Sequence, residues 1–190
     1  MNFKLSDLEK FFGEVGAPFG HSEEMLPNSG ITLTEAKTMY SLVRFFNIQR
    51  VLECGTHVGN STWYLAEALK KNHGDDGCYI VTVDINQRPD CRVTNRPDIL
   101  RVQSDAVEWM RSNDLSKFDY FNHDDEHSKV HIEAEIELIY PHRPKIITIH
   151  DSYAESRDFW HMVMNTPDYL PDYERHPLRS SLGMGVLIRK

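Results

Sequence analysis

Residues 51–66 read VLECGTHVGNSTWYLA: a short apolar run, a glycine turn and the opening of a helix. A β-prone run that ends on glycine and passes directly into a capped helix is how a parallel strand enters its crossover, so this stretch sets the expected fold. Gly55 permits a tight turn after the strand, and Gly59 lets backbone approach a ligand closely, because neither carries a Cβ. Ser61 or Thr62 caps the helix, whose first N–H groups then point past the strand end. His57 breaks the dinucleotide fingerprint G-x-G-x-x-G, and Glu53 before the turn would repel a pyrophosphate. An acid at that position suits a ligand with a cationic or neutral head.

Working outward, TLTEAKTMYSLVRFFN (32–47) is expected as a helix. Thr32 and Glu35 form a capping box, and Leu33, Ala36, Tyr40, Val43 and Phe46 make one apolar face. LSDLEKFF (5–12) predicts a short helix before it. Toward the C-terminus strands are expected at 50–54, 79–85, about 100–103, 118–123 and 145–151, with helices at 61–71, 106–112 and 128–140, the last capped by Ser128. DFWHMVMN (158–165) then reads as a helix and GVLIRK (185–190) as a final strand. Alternation of strand and helix predicts an α/β, mostly parallel sheet covered on both faces, with its ligand crevice outside the carboxyl ends of the strands. Those ends carry Glu53, Asp84, Asp105, Asp124 and Asp151, five carboxylates on one edge. Asp84 closes the second strand, where a carboxylate accepts two hydrogen bonds from a ribose diol.

The chain has 190 residues, 40% hydrophobic and 26% charged, which fits one core. The expected organisation is a single domain over 1–190, with an N-terminal helix and lid-like loop (1–30), a helix before the glycine turn (31–49) and a cofactor-binding and catalytic core (50–190). Position alone makes the first 30 residues a lid or a homodimer contact. A net charge of −8 disfavours nucleic acid as a partner, since phosphate backbones select clustered Lys and Arg. The three cysteines show no CxxC spacing, and Cys54 within its apolar run is expected as a small buried hydrophobe. MNFKLSDLEK lacks the regions of a signal peptide, and no stretch approaches the ~18 apolar residues of a membrane span. The expected location is cytoplasmic, with no membrane partner.

The pattern Glu53-x-Gly55-x-x-x-Gly59-x-Ser61-Thr62, followed by a strand that ends at Asp84, resembles the class I S-adenosylmethionine-dependent methyltransferases. QSDAVEWM (103–110) is similar to their adenine-side motif. FDYFNHDDEHSKVHIEAEIEL (118–138) resembles the FDxVFIDGDHxYxxVxxDLEL stretch of small-molecule O-methyltransferases, ITIHDSY (147–153) their IIxHDxY strand end, and LGMGVLIRK (182–190) their closing strand. The subgroup most similar comprises the cephalosporin-hydroxylase-like and the sugar or macrolide O-methyltransferases. This resemblance implies a Rossmann-like, doubly wound, seven-stranded sheet whose final strand is antiparallel. It implies S-adenosyl-L-methionine as cofactor and a small hydroxylated acceptor such as a sugar, natural product or catechol. The implied cofactor contacts are Glu53, Gly55, Thr56, Gly59, Ser61, Asp84, Asp105, Ala106 and Asp124, with Asp105 facing the adenine amino group.

Residues 122–127, NHDDEH, carry the implied chemistry. The resemblance implies metal ligation by Asp124, His150 and Asp151, and proton acceptance by Glu126 or His127. Two hard carboxylates favour Mg²⁺, and the imidazole tilts the set toward Mn²⁺, Fe²⁺ or Zn²⁺. Asp125 stands where the family keeps glycine, and His123 where it keeps an apolar residue. His123 is expected in the pocket wall, Asp125 in solvent or a cap, and His131 at the surface or in packing. Trp63, Trp109 and Trp160 are expected in packing, with Trp109 placed to border the adenine, and residues 165–177 beside the acceptor pocket. Two rival readings stand beside methyl transfer. One is a non-catalytic nucleoside-binding module; the other is a metal-dependent oxygenase or hydrolase using His123, Asp125 and His150 as a His/Asp/His site.

Overall fold

The computed structural model describes residues 3–17, 30–74 and 79–190. The expected lid-like loop falls largely on 18–29, outside the described residues. The glycine-turn stretch folds as read: β1 (Arg50–Cys54) is followed by α2 (Asn60–His73). Before it, Leu5–Phe11 forms a 3-10 rather than an α-helical turn, and α1 spans Leu33–Phe45. The capping box closes as expected, with Glu35 N–H donating to Thr32 Oγ1 at 3.1 Å and Thr32 N–H to Glu35 at 2.8 Å. Beyond α2 the chain runs through β2 (Tyr79–Asp84), β3 (Ile99–Gln103), α3 (Ala106–Arg111), β4 (Tyr120–His123), α4 (Lys129–Ile139), β5 (Ile146–His150) and α5 (Arg157–Asn165). It ends in β6 (Tyr173–Leu178) and β7 (Met184–Arg189).

The seven strands make one sheet in the order β3-β2-β1-β4-β5-β7-β6. Strands β1 to β5 pair in parallel, and β7 runs antiparallel to both β5 and β6. The order reverses at β1: the chain steps outward from β1 through β2 to β3, then crosses back to β4 on the other side of β1, which opens the crevice there. Successive strand residues face opposite sides. Val51, Ile80, Tyr120 and Ile146 pack with α1 and α2, whereas Leu52, Val81, Phe121 and Ile147 pack with α3, α4 and α5.

Two local expectations are corrected. Helix α2 is capped by Gly59, which holds the left-handed conformation at φ 77°, and not by Ser61 or Thr62. A Cβ at Gly59 would strike Val93 and Cys91, so the close approach there is to the loop after β2 and not to a ligand. The second correction lies at 173–178, read as a pocket border but folded as edge strand β6. Its residues YERHPL show no apolar alternation, and Pro177 is tolerated because an edge strand needs a partner on one side only. Among the described residues no helix is long and apolar enough to cross a membrane.

Candidate active site

A cavity of about 500 Å³ opens at the carboxyl edge of the sheet. That volume suits a small molecule or nucleoside cofactor. The turn after β1 forms one wall. Gly55 sits at φ 96°, and any Cβ there would collide with the Asp124 carbonyl, so glycine is what lets the loop after β4 close on the turn. Asp84 at the end of β2 is aimed by backbone donors: His57 N–H to Oδ2 and Asn86 N–H to Oδ1, both at 2.8 Å. Each carboxylate oxygen keeps a further lone pair, and Asp84 lines the cavity. Asp105 caps α3 by accepting Glu108 N–H at 2.8 Å, and lines the same cavity beside Ala106. Ile85, 65% exposed, supplies an apolar surface between them that the sequence reading passed over as strand.

Four of the five strand-end carboxylates reach the cavity; Glu53 does not line it. Its side chain is fully buried and accepts hydrogen bonds from Thr62 at 2.5 Å, Thr82 at 2.8 Å and Asn122 at 3.3 Å. Burial pushes its carboxyl up to about 7, with the hydroxyl donors opposing. Glu53 therefore ties α2 to β1, β2 and β4 from within. Thr56 bonds Thr82 at 2.7 Å; it and Ser61 border a small crevice that shares His57 and Asp124 with the cavity. Trp109 packs against Phe118 and does not line the cavity, nor does any residue of 165–177.

Across the cavity lies a chain of acids and imidazoles. His150, at the end of β5, is buried with carboxylates at both ring nitrogens. Nδ1 lies 3.1 Å from Asp124 and 3.0 Å from Asp151, and Nε2 lies 3.2 Å from Glu35. These acids lift its pKa well above the usual value, against burial. Burial in turn raises the Glu35 carboxyl, but His150, Ser180 and the Thr32 N–H outweigh it and hold it at about 2. The three residues expected to ligate a metal are thus drawn together by the His150 ring itself. Asp151 occupies the left-handed region at φ 54°, as does His57 at φ 45°. His127 lines the cavity with Nε2 3.2 Å from Asp151 and Nδ1 3.2 Å from Ser156 Oγ. Glu126 also lines it, but its side chain is 67% exposed and accepts from Ser128 Oγ at 2.7 Å.

The remaining members of NHDDEH differ from expectation. His123 is fully buried, with Nδ1 2.7 Å from Glu135 and 3.3 Å from Asp125. It forms no part of the cavity wall, and His150 faces other acids, so the His/Asp/His set of the oxygenase reading is divided. Asp125 is largely enclosed, and burial raises its pKa. His131, expected at the surface or in packing, lines the cavity, and its bond to Asp125 and the nearby Glu135 carboxylate raise its pKa to about 10. Glu35, His131 and Glu135 escaped the sequence reading because each looks like an ordinary polar helix residue. The available signal was the i, i+4 spacing of His131 and Glu135, which puts both on one face of α4.

The sheet order, the reversed last strand and a cavity at the switch point define the doubly wound fold of class I methyltransferases. A family model described as a methyltransferase domain matches residues 52–152, and the chain belongs to that family. The fold recurs in the O-methyltransferase TomG from Streptomyces achromogenes, solved with S-adenosylmethionine, at 16% identity and TM-score 0.67, covering 98% of this chain and 89% of that one. It recurs in an O-methyltransferase from Bacillus cereus, solved with S-adenosylhomocysteine, at 18% identity and TM-score 0.62, covering 98% and 90%. The Podospora anserina methyltransferase PaMTH1, also solved with S-adenosylhomocysteine, shows 14% identity and TM-score 0.60, covering 98% and 87%. No curated protein sequence matches the chain.

Proposed function

We propose that the protein transfers a methyl group from S-adenosylmethionine to a hydroxyl of a small molecule. The observation that carries this is the meeting, in one cavity, of a backbone-aimed Asp84 and a His127–Asp151 pair. The residues fit the cofactor: Asp84 has lone pairs for a ribose diol, Ile85 an apolar surface for the adenine, and Asp105 an acid near its amino group. When bound, the cofactor supplies a methyl group on a cationic sulfur. The chain's part is to bind, to align and to move one proton. Nε2–H of His127 donates to Asp151, which orients the ring; Nδ1, facing Ser156 Oγ, takes the acceptor's proton through that hydroxyl, and Asp151 stabilises the imidazolium that forms. Glu126 is a weaker candidate, because water screens it and Ser128 occupies one oxygen. Asp124 and Asp151 each approach His150 Nδ1, but these three do not gather their ligand atoms into a metal-holding group among the described residues. The reading therefore calls on no metal at those acids.

Titration calorimetry with S-adenosylmethionine and S-adenosylhomocysteine, with and without Mg²⁺ or Mn²⁺, tests the proposal. Wild type is expected to bind both, with no metal effect. Asp84→Ala is expected to weaken both by about 2–3 kcal/mol, roughly 30- to 150-fold, the worth of charge-assisted hydrogen bonds lost to a buried ligand. Failure of the wild type to bind either compound would end this reading. Cofactor binding without turnover on any hydroxylated acceptor would favour the nucleoside-binding alternative.

A further inference from the structure

From the cavity wall inward a second set of donors converges, and methyl transfer uses none of it. Cys54 at the end of β1, Asp125 after β4 and Glu135 on α4 each place a ligand atom within 4.8 Å of the others. His131 stands one turn before Glu135 on the same helix face. Its Nε2 lies 3.1 Å from Asp125 Oδ2 and 3.6 Å from Glu135 Oε1. We propose that Cys54 Sγ, Asp125, His131 Nε2 and Glu135 Oε1 bind a single zinc ion that joins β1, β4 and α4.

Four features support the site. Ligands held about 2.0–2.3 Å from a tetrahedral ion lie roughly 3.3–3.8 Å from one another, close to the separations between His131 and its two acids. Glu135 is fully buried, and its Oε1 has no hydrogen-bond partner among the described residues; the same holds for Asp125 Oδ1. Buried oxygens rarely stay unsatisfied. The other Glu135 oxygen is gripped by His123 Nδ1 at 2.7 Å, as partners behind a metal ligand commonly hold it in place. Finally, one sulfur, one imidazole and two carboxylates make a donor set that zinc accepts and Mg²⁺ does not.

The charges also balance. In the metal-free cluster, Asp125 and Glu135 face two imidazoles, and the Cys54 thiol is neutral, its pKa driven well up by burial and the nearby acids. Zinc would displace the thiol proton of Cys54 and the Nε2 proton of His131. Two positive charges then replace two, and His123 keeps its own proton against Glu135. Entry is through the cavity, since Asp125 and His131 line it.

The test uses the full chain, stripped with a chelator and dialysed against Zn²⁺ without cofactor, so its outcome is independent of the methyltransferase reading. Elemental analysis is expected to find about one zinc per chain, and calorimetry in buffers of different ionisation enthalpy about two protons released. Co²⁺ in place of zinc is expected to give the intense near-ultraviolet thiolate-to-metal band. Cys54→Ser should abolish that band and weaken Zn²⁺ by at least about tenfold; His131→Gln and Glu135→Gln should weaken it similarly. Circular dichroism checks that each variant is folded, and Cys54→Ser with His131→Gln decides the matter if Glu135→Gln is not. Wild type that retains no zinc and shows no cobalt band overturns the proposal. So does zinc that survives Cys54→Ser but is lost in His127→Ala, which would place the ion with His127, Asp151 and Glu155 at the cavity rim.

Discussion

Two neighbours in the sequence, Glu126 and His127, receive different surroundings from one loop, and the difference separates their roles. His127 is enclosed between Asp151 and Ser156, while Glu126 stands mostly in water. His127→Ala is expected to lower kcat by about 10²- to 10⁴-fold, the usual worth of a positioned general base, with cofactor affinity nearly unchanged. Glu126→Gln is expected to stay within a few-fold of wild type, so a steady-state comparison of the two variants checks the assignment. Glu53 makes a residue-scale prediction about pH. Its carboxyl titrates near 7 in the folded chain against an ordinary value of 4.5. Between those values the folded protein holds a proton that the unfolded chain has lost, so this group's contribution falls as pH rises through the window. Glu53→Gln removes the dependence. Thermal unfolding at intervals from about pH 4.5 to about pH 8 should therefore show the variant gaining on wild type by a few kcal/mol, on the order of 3, as pH rises.

At the scale of elements, α1 both begins at its cap and reaches the site through the same residue. Glu35 accepts the Thr32 N–H and also balances His150 across 115 positions of sequence. Thr32→Ala should cost only about 1 kcal/mol, the loss of a cap. Glu35→Ala should cost about 3–5 kcal/mol, because it leaves the buried Nε2 of His150 without its acid. Denaturant unfolding of the two variants distinguishes a cap from a buried pair. The cap was legible because Thr-x-x-Glu before an apolar face is a local pattern. The second role was not, since nothing local to α1 tells which strand end its first turn will meet. Strand β6 was missed for a related reason: its stability comes from backbone pairing with β7, which its own polar residues do not announce. Asp84 and Asp105 were readable because strand and helix ends place them by position alone. Glu53 was misplaced because a strand end does not reveal whether Thr62, Thr82 and Asn122 will fold over it.

For the molecule as a whole, the parallel sheet gathers acids from several strands onto one edge, on a chain whose net charge is already −8. Asp84, Asp105, Asp124, Asp125, Glu126 and Asp151 line the cavity, with the cationic His131 and His150 only partly offsetting them. Such a field favours a cationic ligand over its neutral counterpart. Raising NaCl from about 0.05 M to about 0.5 M should therefore weaken S-adenosylmethionine more than S-adenosylhomocysteine, as screening removes the attraction to the sulfonium. Equal salt slopes in calorimetry would show that the acids act only as local hydrogen-bond acceptors. The reversal of strand order at β1 explains why so much charge is tolerable: the acids stand at an open mouth, and the apolar core remains on the two faces below.

His57 and Asp151 stand on opposite sides of that mouth, and both hold a backbone conformation that side chains ordinarily avoid. Each costs on the order of 1 kcal/mol relative to a relaxed residue. What that cost secures is direction: the His57 N–H aimed at Asp84, and the Asp151 carboxylate aimed between His127 and His150. The fold thus has two built-in points of frustration, one beside Asp84 and one beside His127. A search for thermostable variants would be drawn to both positions, and the chains it returned would be firmer proteins and poorer catalysts.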